Sequence, residues 1–331
     1  MPKNKNLIAT TMAMTLTAPA AANADEINFQ FYGSARVHAE SVRPDDTSVL
    51  DAYTGIRDAY SRIGFKADYA LGGTMELFGQ LELPLDLANK AVQDPWDQDQ
   101  DIRVAQIGLR GDFGSVSYGQ MWMPYYNAIA YPVDMFSSYY SGFATYTAFR
   151  RGDTVAYYSP GFRGFYFGAG WSDSNGADGD DRIQVTGSYT YGRTTVSVGM
   201  DDLGGEFNSR IYGISMLRTM GNLYIGAKYE VHDSRITSGY GADGDRAVNL
   251  YGGYTAGKNT FKLMLANVEN YGENIVHLGV DHQLLPRMKL FAEYYYEEDT
   301  AALTEKRGGL AETAWTAGGG QVLAAGARFD F

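Results

Sequence analysis

The chain has 331 residues, 27 Lys+Arg against 39 Asp+Glu for a formal charge of −12, no cysteine, and 26 Tyr with 16 Phe. The lack of Cys excludes a disulfide framework, and the acidic balance argues against a nucleic-acid partner. Beyond residue 24 no apolar run is long enough for a transmembrane helix. A membrane β-strand needs only ~9–11 residues and shows the bilayer alternate side chains, so a mildly hydrophilic chain can still be a membrane barrel.

Residues 1–24 read as a secretory signal. Lys3 and Lys5 give a positive start, Leu7 to Ala18 is weakly apolar, and Ala22-Asn-Ala24 supplies the small residues of a processing site. The remainder, 25–331, is expected to form one domain. Without Lys3 and Lys5 it carries 25 cationic and 39 acidic residues over 307 positions, a formal charge of −14.

From residue 28 onward the sequence repeats strand and turn. In Asn28 to Glu40, Phe29, Phe31, Ala35 and Val37 alternate with Gln30, Ser34, Arg36 and His38; Thr74 to Leu83 and Lys289 to Glu297 alternate in the same way. Short Gly-rich joins such as Ala70-Leu-Gly-Gly73, Tyr191-Gly-Arg193, Met220-Gly-Asn222 and Gly257-Lys-Asn259 alternate with longer acidic ones. The long joins are expected at Ser41 to Arg57, Asp86 to Gln100, Met121 to Arg150, Asp173 to Asp181, His232 to Asp245 and Asp299 to Gly319, with shorter ones at Asp201 to Asn208 and Glu269 to Glu273. Seven short turns and eight loops define 16 strands, an even count with the loop asymmetry of a bacterial outer-membrane barrel. The fold class is therefore all-β, a transmembrane antiparallel barrel of 16 strands. Ser115 to Gln120 and Thr154 to Ser159 leave their faces undecided, as bulges at a barrel rim would.

Ala105 to Arg151 holds a hairpin, turned at Gly111-Asp-Phe-Gly114, followed by an aromatic loop of about 30 residues; loops of that length in compact proteins are usually functional. The run Ile107-Gly-Leu-Arg-Gly-Asp-Phe-Gly-Ser-Val-Ser-Tyr-Gly-Gln120, then Pro124-Tyr-Tyr-Asn-Ala-Ile-Ala-Tyr-Pro-Val-Asp134 and Val155-Ala-Tyr-Tyr-Ser-Pro160, resembles the general diffusion porins of Gram-negative outer membranes. Ser61-Arg-Ile-Gly-Phe-Lys66 and the terminal Phe329-Asp-Phe331 support the resemblance.

That resemblance implies a homotrimer of barrels in the outer membrane, each narrowed by an inward-folded third external loop. It also implies contact with lipid and lipopolysaccharide, and delivery to the assembly machinery through Phe331. Matching motifs place Arg62 and Arg151 as wall cations and Asp134 as the opposing acid of the constriction. Gln120 stands where the family has a wall arginine, Ser138 where it commonly has a second loop acid, and Arg36 shares the lumen face of Ser34.

Enzyme chemistry has little support. His38, His232, His277 and His282 are widely separated and form no spaced metal cluster. Asp173-Ser-Asn-Gly-Ala-Asp-Gly-Asp-Asp181 offers Asp173, Asn175, Asp178 and Asp180 as possible calcium ligands, although the later Glu of a calcium loop is missing and a solvated acidic loop is the plainer reading. No cofactor is required. The expected function is a water-filled channel for passive diffusion of ions and small hydrophilic solutes, preferring cations because the net charge of −14 and the lumen-side Glu76, Glu82, Glu230, Glu293 and Glu297 favour a negative potential. The alternatives are a channel selective for sugars or organic anions, and a non-conducting adhesin or structural barrel.

Overall fold

The computed structural model describes residues 27–93, 102–173, 181–299, 301–303 and 318–331; the expected signal at 1–24 lies outside them. Among the described residues there are seventeen strand segments. The first nine are β1 (Ile27–Pro44), β2 (Tyr53–Asp58), β3 (Ser61–Gly72), β4 (Met75–Leu85), β5 (Val104–Gly111), β6 (Gly114–Trp122), β7 (Arg150–Tyr158), β8 (Phe165–Ser172) and β9 (Arg182–Tyr191). The others are β10 (Thr194–Gly204), β11 (Ser209–Met220), β12 (Leu223–Asp233), β13 (Arg246–Ala256), β14 (Asn259–Val268), β15 (Glu273–Leu285), β16 (Met288–Glu297) and β17 (Gly320–Asp330).

β2 and β3 both pair with β1, as two halves of one stave, so the segments make 16 strands. From β3 onward each pairs antiparallel with the next, and β17 returns to β1, with Ser34 opposite Asp330 and Pro44 opposite Gly320. Closure removes both sheet edges, so backbone donors and acceptors are satisfied where no water can reach them.

The side chains are arranged inside out relative to a soluble protein. On β14, Phe261, Leu263 and Leu265 are 41–52% exposed, whereas Lys262, Met264 and Ala266 between them are at most 8% exposed. Exposed apolar residues face outward to lipid and the polar set faces the interior. The turns are as short as the sequence implies: at 220–223, Gly221 takes φ +59°, a left-handed conformation that glycine adopts without steric cost. The undecided stretch before Gln120 is resolved by a bulge between Gly119 and Met121. Ser115 and Ser117 face inward, and Val116 and Tyr118 outward. In β7 the same holds for Thr154 and Ala156 inside, Val155 and Tyr157 outside.

One expectation needs correction. The segment Ser41 to Arg57 is not a long loop, because β1 runs to Pro44 and β2 begins at Tyr53. Arg57 and Tyr53 on β2 reach Glu40 on β1, and these ties hold the strands together past the expected boundary.

The interrupted stave has a further consequence. Between the pairs Ser34–Arg62 and Val37–Asp58, two residues of β1 face three of its partner. The extra residue is absorbed at Tyr60, with φ +63°, a bulge of the kind that re-aims a side chain. Its polar groups are satisfied locally: the Ser61 amide donates to Asp58 (2.6 Å), Ala59 N–H donates to the Arg36 carbonyl (3.0 Å), and the Arg36 amide donates to Ser61 Oγ (2.7 Å).

The segment 123–149 between β6 and β7 lies against the polar face of β9 to β16 and reaches β1. It contains short helical turns at Tyr126–Ala130, Tyr131–Val133 and Tyr140–Phe143. Wall glycines let it approach, since a Cβ at Gly213 would overlap the Tyr125 hydroxyl and one at Gly226 the Pro132 carbonyl. Wall side chains then anchor it. Gln184 accepts from Tyr125 N–H (2.9 Å), Lys228 donates to the Ala144 carbonyl (2.8 Å), and Glu230 accepts from Thr145 (2.8 Å). Glu293 accepts the amides of Ser137 (2.8 Å) and Ser138 (3.0 Å), and Glu40 accepts from the Tyr140 hydroxyl (2.8 Å). Phe136 stacks on His277 with ring centroids 3.5 Å apart.

Two tests follow from this packing. At the closing seam Gly33 and Phe331 exchange two backbone hydrogen bonds of 3.0 Å, and a side chain at Gly33 would collide with the Phe331 ring. Gly33→Val is expected to lower the fraction of folded, heat-modifiable barrel in membrane extracts severalfold, and parental yield would contradict the closing role of Phe331. Lys228 and Glu230 form a fully buried pair at 2.6 Å. Lys228→Met leaves the carboxylate without its cation, a loss of about 3–5 kcal/mol. Thermal unfolding of the purified protein should show this loss, with much of it recovered in Lys228→Met/Glu230→Leu; an unchanged Tm in the single variant would contradict the anchoring role.

Candidate functional site

The acids of the interior are held by neighbours. Glu82 pairs with Arg103 (2.9 Å), Asp201 with Arg182 (2.5 Å), and Glu293 with Lys262 (3.3 Å). Glu297 accepts the amides of Ala302 (2.8 Å) and Leu303 (2.9 Å). Each of these four is at most 5% exposed. Burial of a carboxylate is tolerable only with such partners, and two of the four also fasten the segment 123–149, Glu293 through the Ser137 and Ser138 amides and Asp201 through the Thr147 hydroxyl. Glu76 pairs with Arg110 at 2.8 Å.

The cations divide differently. Arg36 on β1 and Arg62 on β3 stand in one group with Arg103, just before β5, and Arg328 on β17. The charges acting on Arg36 include those of Arg62, Arg328 and Arg103, and those acting on Arg62 are Arg103, Glu82, Arg328 and Arg150. Arg328 is tied to Asp330 at 2.8 Å. Arg36 donates from Nε to Ser34 Oγ (2.7 Å) and has no carboxylate within 4 Å among the described residues. The half-buried Arg62 guanidinium has neither a hydrogen-bond nor an ion-pair partner among the described residues. Arginine stays charged, so an unpartnered guanidinium in this group is a standing attraction for an anion.

The expected site residues separate into groups. Arg36 and Arg62 come together. Arg151 responds instead to Arg182 and Asp201, while its neighbour Arg150 lies 4.7 Å from the Trp122 ring centroid and contributes to the field at Arg62. Gln120 sits at the β6 bulge, where its amide donates to the Ile102 carbonyl. Ser138 is buried, with its amide on Glu293. Asp134, on the loop, accepts from Tyr126 OH (2.7 Å) and from Ser141 Oγ. Burial raises its pKa from the ordinary carboxylate value, and these two hydrogen bonds oppose the shift in part.

Arg150 and Arg328 were missed by motif matching. Arg328 was legible from alternation, in phase with the buried Val322 and Ala324. Tyr60 and Trp122, beside the arginines, carried no sequence signal of their role. Of the calcium candidates, Asn175, Asp178 and Asp180 lie outside the described residues. Among the described residues no three His, Asp or Glu are grouped to hold a metal ion.

A sequence profile described as Gram-negative porin matches residues 9–302. No curated protein sequence matches the chain. Solved structures do. The anion-selective porin from Comamonas acidovorans superposes with a TM-score of 0.73 at 19% identity, covering 92% of this chain and 100% of that one. Salmonella typhi OmpF, in complex with daunomycin, gives 0.70 at 16%, covering 92% and 97%. The trimer form of Vibrio cholerae OmpT gives 0.65 at 18%, covering 93% and 100%. At these identities the superpositions speak for the fold, a 16-stranded barrel closed as described above. With the profile spanning most of the sequence, the chain belongs to the Gram-negative porin family and is a multi-pass β-barrel of the outer membrane.

Proposed function

We propose that the barrel is a passive diffusion channel for small hydrophilic solutes, that the segment 123–149 forms its narrowest section, and that this section prefers anions. The observation that carries the reading is the Arg62 guanidinium, with no ion-pair partner among the described residues within a group of five arginines, while Glu82, Asp201 and Glu293 are each paired with a cation. The formal charge of −12 argues for cations. However, Glu76, Glu82, Glu230 and Glu293, which would supply a cation-attracting lumen, have cationic partners within 3.3 Å, and Glu297 is held by backbone amides. Acids on the external loops act through water, where screening over ~8 Å at physiological salt limits their reach. The description of the Comamonas porin as anion-selective agrees with this reading.

A homotrimer is part of the proposal, supported by the trimer form described for the Vibrio barrel. Lipid and lipopolysaccharide would surround it, with Phe331 addressing the assembly machinery. The acidic stretch from Asp173 is read as a solvated loop, and metal analysis after dialysis against calcium should find no stoichiometric ion.

A reversal potential under a potassium chloride gradient in planar bilayers is the test. Chloride preference is expected, and Arg62→Gln should reduce it severalfold; potassium preference in the parent would overturn the reading. Asp134 supplies a pH arm. Its raised pKa means that it takes up a proton earlier than a free carboxylate as pH falls, which removes a negative charge beside the path. As pH falls from neutrality, chloride preference should rise more in the parent than in Asp134→Asn, and the rise should begin at a higher pH than for a free carboxylate. Equal rises would remove Asp134 from the path.

A further inference from the structure

We infer that this channel recognises aromatic carboxylates, a substrate class that rests on the anion preference proposed above. The arginine group is interleaved with rings. The extra residue in the interrupted stave sets Tyr60 among the interior groups, where it meets Tyr139 edge-on at 5.4 Å and has the Arg103 guanidinium 5.1 Å from its ring centroid. Arg103 also lies 5.9 Å from the Trp122 ring, and Arg150 lies 4.7 Å from it. Trp122 is backed by Tyr126, stacked at 4.9 Å, with Phe149 beyond at 6.4 Å. Rings and guanidinia therefore alternate, Tyr60, Arg103, Trp122, Arg150, in a ladder brought together by the bulge between β2 and β3, the residue preceding β5, β6 and β7.

Arg62 stands in the field of Arg103, Arg328 and Arg150 and of the Glu82 carboxylate, which Arg103 already holds, and among the described residues no carboxylate lies within 4 Å of its guanidinium and no ring lies over it. A planar fork of this kind offers two complementary surfaces. Its edge takes a carboxylate through two parallel N–H donors, and its face takes a ring. Chloride or acetate satisfies the charge alone. A benzoate-like solute supplies the carboxylate and also a ring that extends the ladder along the half-buried Tyr60 and Trp122. This grouping of rings and guanidinia should thus distinguish an aromatic acid from an aliphatic acid of equal charge and similar size, which a field of fixed charges by itself does not do.

The experiment uses purified protein in planar bilayers carrying chloride current, with benzoate, cyclohexanecarboxylate or acetate added. Benzoate is expected to block saturably at about tenfold lower concentration than cyclohexanecarboxylate, the ratio that one guanidinium–ring contact provides. Trp122→Leu and Tyr60→Asn, the latter suited to positive φ, should bring the ratio towards one, whereas Tyr118→Leu on the lipid face should keep it. Equal block by benzoate and cyclohexanecarboxylate in a parent channel that prefers chloride would overturn the aromatic inference alone. Potassium preference in that parent would overturn it together with the anion reading. Because the decisive comparison is between two solutes on the parent, it stands even if a variant fails to fold.

Discussion

Hydrocarbon offers no hydrogen bonds, and this requirement for complete backbone pairing shapes the molecule. It forces β17 back onto β1 with Phe331 on Gly33, and it turns the sheet inside out, with Phe261 and Leu263 to lipid and Lys262 to the interior. An interior lined by charged groups must then satisfy those charges. The third long loop is the principal means, because its amides, carbonyls and hydroxyls meet Glu40, Lys228, Glu230 and Glu293 on the wall.

The two signs of charge therefore have different fates. A carboxylate accepts from several donors at once, so the wall acids suit a loop with exposed amides and hydroxyls and become buried beneath it. Guanidinia have only donors, and among the described residues several find carboxylates on the wall, Arg103 at Glu82 and Arg328 at Asp330. Five of them gather where β1, β3 and β17 meet β6 and β7, and in that group Arg36, Arg103 and Arg150 are buried while Arg62 is half-buried. The proposed anion preference is a consequence of this division and not of net charge, which counts buried and exposed acids alike.

Much of the fold was legible from the sequence because period-two alternation and short glycine turns are local signals. Met220-Gly-Asn222 announces its turn without reference to any other strand. The boundary of the first loop was not legible, since the ties from Glu40 to Tyr53 and Arg57 that prolong β1 and β2 cross between strands. The face of Ser115 to Gln120 was hidden by the bulge at Gly119, which shows only in register. Tyr60 was obscured in the same way, because an extra residue has meaning only when counted against a partner. The pairing of interior charges was only partly legible for a related reason: Lys228 and Glu230 lie two positions apart on one face and could have been paired by eye, but Lys262 and Glu293 meet across three strands. Arg62 was identified by motif, while its lack of a partner required the whole barrel.

The central claim is that the interior acids are spoken for and Arg62 is not. Crystals of the protein equilibrated with rubidium bromide would test it directly, because both ions can be located by their anomalous scattering. The account predicts bromide at the Arg62 guanidinium and no rubidium at Glu82, Glu230 or Glu293. Rubidium on those carboxylates, with no bromide beside Arg62, would contradict it.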